Sequence, residues 1–223
     1  SGETWRKVDN ISGAPSQSYV NSVYTSHHDE NTIYVAFNHH KYGDFKPYIF
    51  MSSDKGSSWK SISNNLPSRG SVYAIEEDHI DSGLIFCGTE FGVFFSPNNG
   101  KVWKELSNGL PTIAVRDIAI QRDMNDLVLG TFGRGFYVLD DYTLLRDIEN
   151  KEISAKAMIM STRDAIMWEK ANPLGLPGKS FQGDNFYVGE NLDPVAMIDY
   201  YYSNSYKSIR DKRKATEKDL IKN

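Results

Sequence analysis

Acidic, basic and aromatic residues are concentrated in three short segments of the sequence. They read NHHKYGDFKPY at 38–48, TEFG at 89–92 and TFGRG at 131–135. Glu90 and Asp44 could form the pair of carboxyl groups that hydrolysis of a glycosidic bond requires, one of them kept protonated by its surroundings. They are therefore the candidate catalytic residues. The residues that we expect to contact a ligand are His39, Tyr42, Glu90, Phe91, Phe132 and Arg134.

The same residues also have structural interpretations. Glu90 and Arg134 would equally form an ion pair between neighbouring sheets. His39 and His40 are adjacent on an extended segment, so their side chains point in opposite directions and do not readily bind one metal ion together. The glycines of 130–136 lead from one strand into another rather than into a helix, which argues against a phosphate-binding loop. We expect neither a metal nor a cofactor.

A sialidase-type site is less well supported by the sequence than a pair of carboxyl groups. A sialidase-type site needs three arginines around a carboxylate, and the sequence offers Arg134 with Arg69 or Arg116 as its candidates. His27 and His28 are expected in an exposed hairpin turn.

Composition describes an ordinary soluble globular protein. The 223 residues are 39% hydrophobic and 24% charged, with a net charge of -4 and a pI of about 5.7. An acidic chain lacks the basic face that nucleic acid requires. No apolar run is long enough to span a bilayer. Cys87 is the only cysteine, which excludes an internal disulfide.

A repeat supplies the framework for these loops. SSDKGSSW at 52–59 returns 44 residues later as SPNNGKVW at 96–103, and each copy follows three β-prone runs and precedes a fourth. Short strands with Gly and Asn turns predict antiparallel sheets, and a period of 40–50 residues is typical of four-stranded propeller blades. The residues expected to build the turns are Ser52, Asp54, Gly56 and Trp59, with Ser96, Asn98, Gly100 and Trp103.

The repeat resembles the Asp box, SxDxGxTW, of BNR-repeat β-propellers such as sialidases, xyloglucan-cleaving glycosidases and sortilin. GTFGRGFYVLDD at 130–141 is similar to the closing blade of bacterial sortilin-like proteins of the glycosyl-hydrolase group, and RDAIMW at 163–168 and GENLDPVAMIDYYYS at 189–203 to the segments that follow it. The resemblance implies an extracytoplasmic protein that acts on or binds glycans. The alternative is a non-catalytic propeller that binds polypeptides or acts as a scaffold in an envelope complex.

The opening SGETW extends the pattern, because Gly2, Thr4 and Trp5 match the last half of an Asp box. We therefore expect an all-β, incomplete propeller of about three four-stranded blades that begins mid-blade. The remaining blades would lie on the same full-length protein or on another chain.

The predicted organisation has two parts. Residues 1–146 form the blades, and 147–223 form an irregular arm with a possible β-sandwich strand near 195–203. From position 206 to the end the chain carries seven Lys or Arg and three Asp or Glu. Such a tail favours a solvated helix or a frayed end, with a partner-binding site as the alternative.

Overall fold

Three antiparallel sheets make up most of the structure, a computed structural model that describes residues 2–150, 156–167, 169, 195–203 and 207–222. We call the sheets blades A, B and C, and each follows chain order. Blade A contains β1 (Tyr19–Thr25), β2 (Ile33–His39), β3 (Asp44–Ser52) and β4 (Lys60–Ser61). Blade B contains β5 (Val72–Glu77), β6 (Ile85–Thr89), β7 (Val93–Ser96) and β8 (Lys104–Glu105). Blade C contains β9 (Val115–Gln121), β10 (Asp126–Thr131) and β11 (Phe136–Leu139).

The blades pack face to face in sequence order. Strand β5 contacts β1 and β2 of blade A and β9 of blade C. One buried cluster, which includes Tyr34, Ile49, Ile75 and Trp103, joins blade A to blade B. A second cluster joins blade B to blade C and includes Phe86. The expected incomplete β-propeller is confirmed, although blade C has three strands where four were expected.

The first repeat forms a tight turn between β3 and β4. The Ser52 hydroxyl accepts a hydrogen bond from the Gly56 amide at 2.8 Å, and Asp54 Oδ1 accepts from the Ser58 amide at 2.7 Å. Gly56 has a φ of 78°, a left-handed conformation that glycine adopts without steric cost. Hydrogen bonds from Ser58, Ser57 and Ser52 lower the pKa of Asp54 to about 2, so this carboxylate is ionised at neutral pH.

The second repeat forms the same turn between β7 and β8 with an amide in place of the carboxylate. The Ser96 hydroxyl accepts from the Gly100 amide at 2.8 Å, and Asn98 Oδ1 accepts from the Val102 amide at 2.9 Å. The hydrogen bonds have the same lengths to within a few tenths of an ångström, so a side-chain oxygen, charged or neutral, is what the turn requires.

The tryptophans at the ends of these turns differ in their surroundings. Trp103 is 3% exposed, and its Nε1 donates to the Ile62 carbonyl in blade A at 2.7 Å. Trp59 is partly buried and donates to Gly56 within its own turn. Trp5 makes the same local bond to Gly2 at 3.1 Å, but it is 90% exposed.

The chain divides into two compact units, residues 1–152 and 153–223. The last elements of the first unit are a 3-10 helix (Tyr142–Arg146) and the short helix α1 (Asp147–Asn150) that directly follows it. The second contains the antiparallel pair β12 (Ala157–Ile159) and β13 (Tyr200–Tyr202) and the helix α2 (Ile209–Lys222). Much of the predicted arm, 170–194, lies outside the described residues.

Candidate ligand-binding cleft

One β-bulge recurs at the same position in the first strand of every blade. The register shifts between Val20 and Ser22 in β1, between Val72 and Ala74 in β5, and opposite Gly130 and Thr131 in β9. The extra residues are Asn21, Tyr73 and Arg116. Because a bulge redirects the side chain that it inserts, three equivalent residues are presented at the same end of neighbouring strands.

These three side chains line an open cleft of about 360 Å³. The loop after β2, which contains a 3-10 helix (His40–Tyr42), contributes His40 and Lys41, and the turn after β6 contributes Glu90. The cleft thus combines aromatic rings, amides, cations and one carboxylate. The residues that line it are Tyr19, Asn21, Asn38, His40, Lys41, Phe45, Tyr73, Glu90 and Arg116.

Arg116 is held in place by aromatic rings. Its guanidinium lies 3.7 Å from the centre of the Tyr73 ring and 5.2 Å from that of Phe132, a cation–π arrangement with both rings. Burial raises the pKa of Tyr73, Arg116 opposes that rise, and Glu90 adds to it. The cleft therefore presents a neutral phenol beside charges of both signs.

Two amides that line the cleft are hydrogen-bonded to each other. Asn38 is buried, and its Nδ2 donates to Asn21 Oδ1. Asn21 Nδ2 in turn donates to the Val72 carbonyl of blade B at 2.6 Å. The chain of bonds fixes both amides across the boundary between the blades and leaves the second lone pair of Asn21 Oδ1 for another donor.

Asp44 does not line this cleft. Its Oδ2 accepts from the Tyr48 hydroxyl at 2.6 Å and its Oδ1 from the Lys46 amide. The hydrogen bond from Tyr48 lowers the pKa of Asp44, while a smaller burial effect opposes it. A carboxyl group held ionised in this way is unsuited to donate a proton to a leaving group.

The other predicted ligand-binding residues are distributed over the surface around the cleft. His39 and Tyr42 stack with ring centres 4.4 Å apart and line a neighbouring depression of about 210 Å³. Phe91 lines a separate cavity of about 100 Å³ with Arg69. Phe132 contacts Arg116 from outside the cleft. Glu90 is thus the one predicted ligand-binding residue among those that line the cleft.

Arg134 is exposed and lies outside the lining of the cleft. No salt bridge joins it to Glu90 among the described residues. Glu90 and Arg134 therefore do not form the ion pair between blades that was their alternative structural role.

A second polar cluster lies at the opposite end of β5. Asp78 is fully buried, and Arg146 donates to both of its oxygens, at 2.8 and 2.7 Å. Tyr142 also donates to Asp78. Burial opposes ionisation of Asp78, but the bonds from Arg146 and Tyr142 outweigh it and lower the pKa of the carboxyl. This cluster ties the closing 3-10 helix to blade B.

The two histidines that we expected to be merely exposed take part in this end of the molecule. The His27 amide donates to buried Glu77 at 2.8 Å, and a ring nitrogen of His28 lies 2.7 Å from the Asp78 carbonyl oxygen. Both histidines are solvent-exposed, as predicted, but they also connect the β1–β2 turn to blade B.

Neither cluster has the composition of a metal site. Within the described residues no group of three or more His, Cys, Asp or Glu is placed to hold a metal ion. Over the same residues, no helix has the length and apolar character needed to cross a membrane.

Comparison with known proteins shows similarity in fold alone. The chain matches no family model and no curated protein. It is similar to the crystal structure of the GH74 enzyme of Niastella koreensis at 18% identity and a TM-score of 0.47, over 55% of this chain and 21% of that one. It is also similar to the extracellular domain of BT4673 from B. thetaiotaomicron (20%, TM-score 0.44, 59% and 16%) and to YCF48 bound to D1 peptide (19%, TM-score 0.45, 63% and 43%). The chain spans less than half the length of each.

Proposed function

We propose that the chain contributes a glycan-binding cleft to an extracytoplasmic propeller of the BNR-repeat type. The two turns support the assignment to this type, because Ser52, Asp54 and Gly56 make the same bonds as Ser96, Asn98 and Gly100. The extracytoplasmic location and the sortilin-like relationship rest on the sequence resemblance alone.

The observation that carries a binding function is the convergence of the three bulge residues in one cleft. Sugars offer many hydroxyl groups and apolar ring faces, so they are recognised by amides, charged forks and aromatic rings held in fixed positions. Asn21 is fixed by its bond to Val72, and Arg116 by the ring of Tyr73. Little ordering entropy remains to be lost when a ligand binds to such side chains.

Binding is favoured over hydrolysis for the residues of this chain. A glycosidase needs two carboxyl groups across the scissile bond, roughly 5–9.5 Å apart. Of the residues that line the cleft, Glu90 alone carries a carboxylate. Asp44 lies outside that lining and accepts a hydrogen bond from the Tyr48 hydroxyl.

A polypeptide is the second candidate ligand. Lys41 and Arg116 stand in the same cleft as Glu90, so side chains of either charge would find a partner there. A scaffold role within an envelope complex is compatible with either ligand.

The experiment is a binding titration with defined oligosaccharides. Isothermal titration calorimetry with neutral and uronic-acid-containing oligosaccharides should give saturable binding by the parent chain. Arg116→Ala and Tyr73→Ala should weaken it at least tenfold, since each removes a group of the cleft and Tyr73→Ala also removes the support of Arg116. Arg134→Ala is the matched control, because it removes one exposed arginine outside the cleft and should leave affinity unchanged.

Three results would contradict the proposal. Equal losses in Arg134→Ala and Arg116→Ala would mean that net charge, not the cleft, determines binding. Release of new reducing ends from the same oligosaccharides, abolished in Glu90→Gln, would replace binding by hydrolysis. Binding of peptides but of no oligosaccharide would favour the second candidate.

A further inference from the structure

Positive charge predominates in the cleft, although the chain as a whole is acidic. Lys41 and Arg116 line the cleft together with one carboxylate, Glu90, whereas the full sequence has a net charge of -4. A local surplus of cations in a concave site raises the local concentration of anions. The charges of the cleft therefore bear on which glycans bind there.

Neither cation of the cleft is paired with a carboxylate of the protein. Over the described residues, no salt bridge involves Lys41, Arg116 or Glu90. The contrast lies at the opposite end of β5, where Arg146 is 2.7 Å from an oxygen of Asp78. A carboxylate of a ligand can therefore take the partner position that the residues lining the cleft leave open.

Two arginines near the cleft are stacked on aromatic rings. The Arg116 guanidinium lies 3.7 Å from the centre of the Tyr73 ring. Arg69 is outside the lining, but its guanidinium lies 4.8 Å from the centre of the Phe45 ring, which is part of it. A planar guanidinium can bind a carboxylate through two parallel N–H bonds. Because the rings already restrict the arginines, less conformational entropy is lost on binding.

The remaining polar groups of the cleft suit hydroxyl groups. Asn21 Oδ1 accepts from Asn38 and keeps a second lone pair. Glu90 is positioned by its backbone amide, which donates to the Ser71 carbonyl at 3.0 Å. Its carboxylate accepts hydrogen bonds from sugar hydroxyls but repels another carboxylate. A sugar with one carboxylate and several hydroxyls thus finds a partner for each kind of group in the same cleft.

We propose that the glycan bound in this cleft is acidic, with the carboxylate of a hexuronic acid unit on Arg116 and Lys41 and its hydroxyls on Asn21 and Glu90. The proposal rests on the glycan-binding function proposed above and narrows the class of ligand. An acidic polypeptide carries the same carboxylate, but its acidic side chains have no hydroxyl donors next to that group. The acidic sugar therefore matches more of the cleft than the peptide does.

Matched pairs of ligands isolate the contribution of the carboxylate. Isothermal titration calorimetry on the whole chain compares trimers of galacturonate and of glucuronate with their carboxyl-reduced forms, in which a CH₂OH group replaces each carboxylate and the other hydroxyls are unchanged. At least one acidic trimer should bind about tenfold more tightly than its reduced form, because charge-assisted hydrogen bonds are stronger than neutral ones. Added salt should narrow this preference, since it screens exposed charges.

Substitutions of the two cations should reduce the preference for the acidic form. Arg116→Gln and Lys41→Gln each remove one positive charge, so each should weaken binding of the acidic trimer more than that of the reduced trimer and lower their affinity ratio about fivefold. Lys41 is exposed, so its variant tests the proposal even where loss of Arg116 disturbs the packing on Tyr73. Arg134→Gln removes one positive charge outside the cleft and should keep the ratio of the parent.

The outcomes separate the acidic ligand from the function on which it rests. Equal affinity for the acidic and reduced forms overturns the acidic ligand but retains a glycan-binding cleft. So does a ratio that Arg134→Gln lowers as much as Arg116→Gln and Lys41→Gln do. Absence of binding by any of these oligosaccharides overturns both proposals. A triglutamate peptide that binds as tightly as the acidic trimers, with the same dependence on Arg116, would assign the cleft to acidic polypeptides instead.

Discussion

At the scale of single residues, the least expected group is Glu76 on β5. The side chain is half-buried, and the Tyr24 hydroxyl donates to it at 3.1 Å. Burial raises the pKa of Glu76 to about 7, against the opposing effects of Tyr24 and Arg122. It is consequently a carboxyl group that changes charge near neutral pH at the end of β5 remote from the cleft.

This shift predicts that the stability of the folded chain decreases as pH rises. In the unfolded chain Glu76 loses its proton near pH 4.5, whereas the folded chain keeps it to about pH 7. Over that interval the native state binds more protons, so the free energy of unfolding falls as pH rises and then levels off. Glu76→Gln should remove this contribution, roughly 1 kcal/mol once solvent screening of a half-exposed group is allowed for.

Urea unfolding of parent and variant at intervals from pH 4 to pH 8 measures the effect. The gain in stability of Glu76→Gln over the parent should grow between about pH 4.5 and pH 7 and stay constant above. Glu3→Gln, at an exposed position, removes the same charge and should show no such growth. A Glu76→Gln difference that is independent of pH would contradict a raised pKa.

The residues of the cleft show what sequence patterns can and cannot locate. The loops that carry Glu90 and Lys41 could be predicted to meet because turns after successive antiparallel strands alternate between the two ends of a blade. Tyr73 was not predicted, and Arg116 was a candidate for a sialidase-type site alone, because strict alternation of side chains along a strand does not foresee the bulges that place both residues in the cleft. Aligning the three first strands by their turns would have exposed the shared extra residue.

At the scale of elements, the turn between β3 and β4 is predicted to depend on an oxygen at position 54 and not on its charge. Asp54→Asn should leave thermal stability at neutral pH nearly unchanged, because Asn98 makes the equivalent bond in blade B. Asp54→Ala leaves the Ser58 amide without its side-chain acceptor and the Ser57 amide with the backbone carbonyl of residue 54 alone, and it should lower the melting temperature by several degrees. Calorimetry of the three proteins decides between these expectations.

Acid provides an independent check on that turn. The pKa of Asp54 is lowered to about 2 in the folded chain, so between its unfolded value and pH 2 the unfolded state binds more protons and the free energy of unfolding falls as pH falls. The parent should therefore lose stability relative to Asp54→Asn below about pH 4. Equal damage from Asn and Ala at neutral pH would show that the carboxylate charge itself is required.

The turns also explain why blades A and B have the predicted four strands and blade C has three. Ser52 to Trp59 and Ser96 to Trp103 specify a β3–β4 type connection by hydrogen bonds that follow directly from residue type. After β11 the chain continues instead to Asp141, which caps the 3-10 helix Tyr142–Arg146. No turn of the repeated type follows, so nothing local returns the chain for a fourth strand.

At the scale of the whole molecule, blades B and C approach each other so closely at Gly88 that no side chain fits between them. A Cβ at Gly88 of β6 would lie 2.7 Å from the Val115 carbonyl oxygen and 2.9 Å from its Cγ1 in blade C. Both distances are shorter than real Cβ contacts, so β6 and β9 would have to separate. Overpacking of this kind costs about 1–3 kcal/mol.

Gly88→Ala is therefore predicted to loosen blade C from blade B while leaving blades A and B joined. Hydrogen exchange should accelerate in β9, β10 and β11, because blade C is attached through this interface, and should change little in β1 to β3. Gly130→Ala is the matched control: it occupies the same ladder position in blade C, and its Cβ would meet nothing nearer than Asp117 Cβ at 3.3 Å. If Gly88→Ala accelerates exchange equally in every blade, the three sheets unfold as one unit, and the interface between B and C is no weaker than that between A and B.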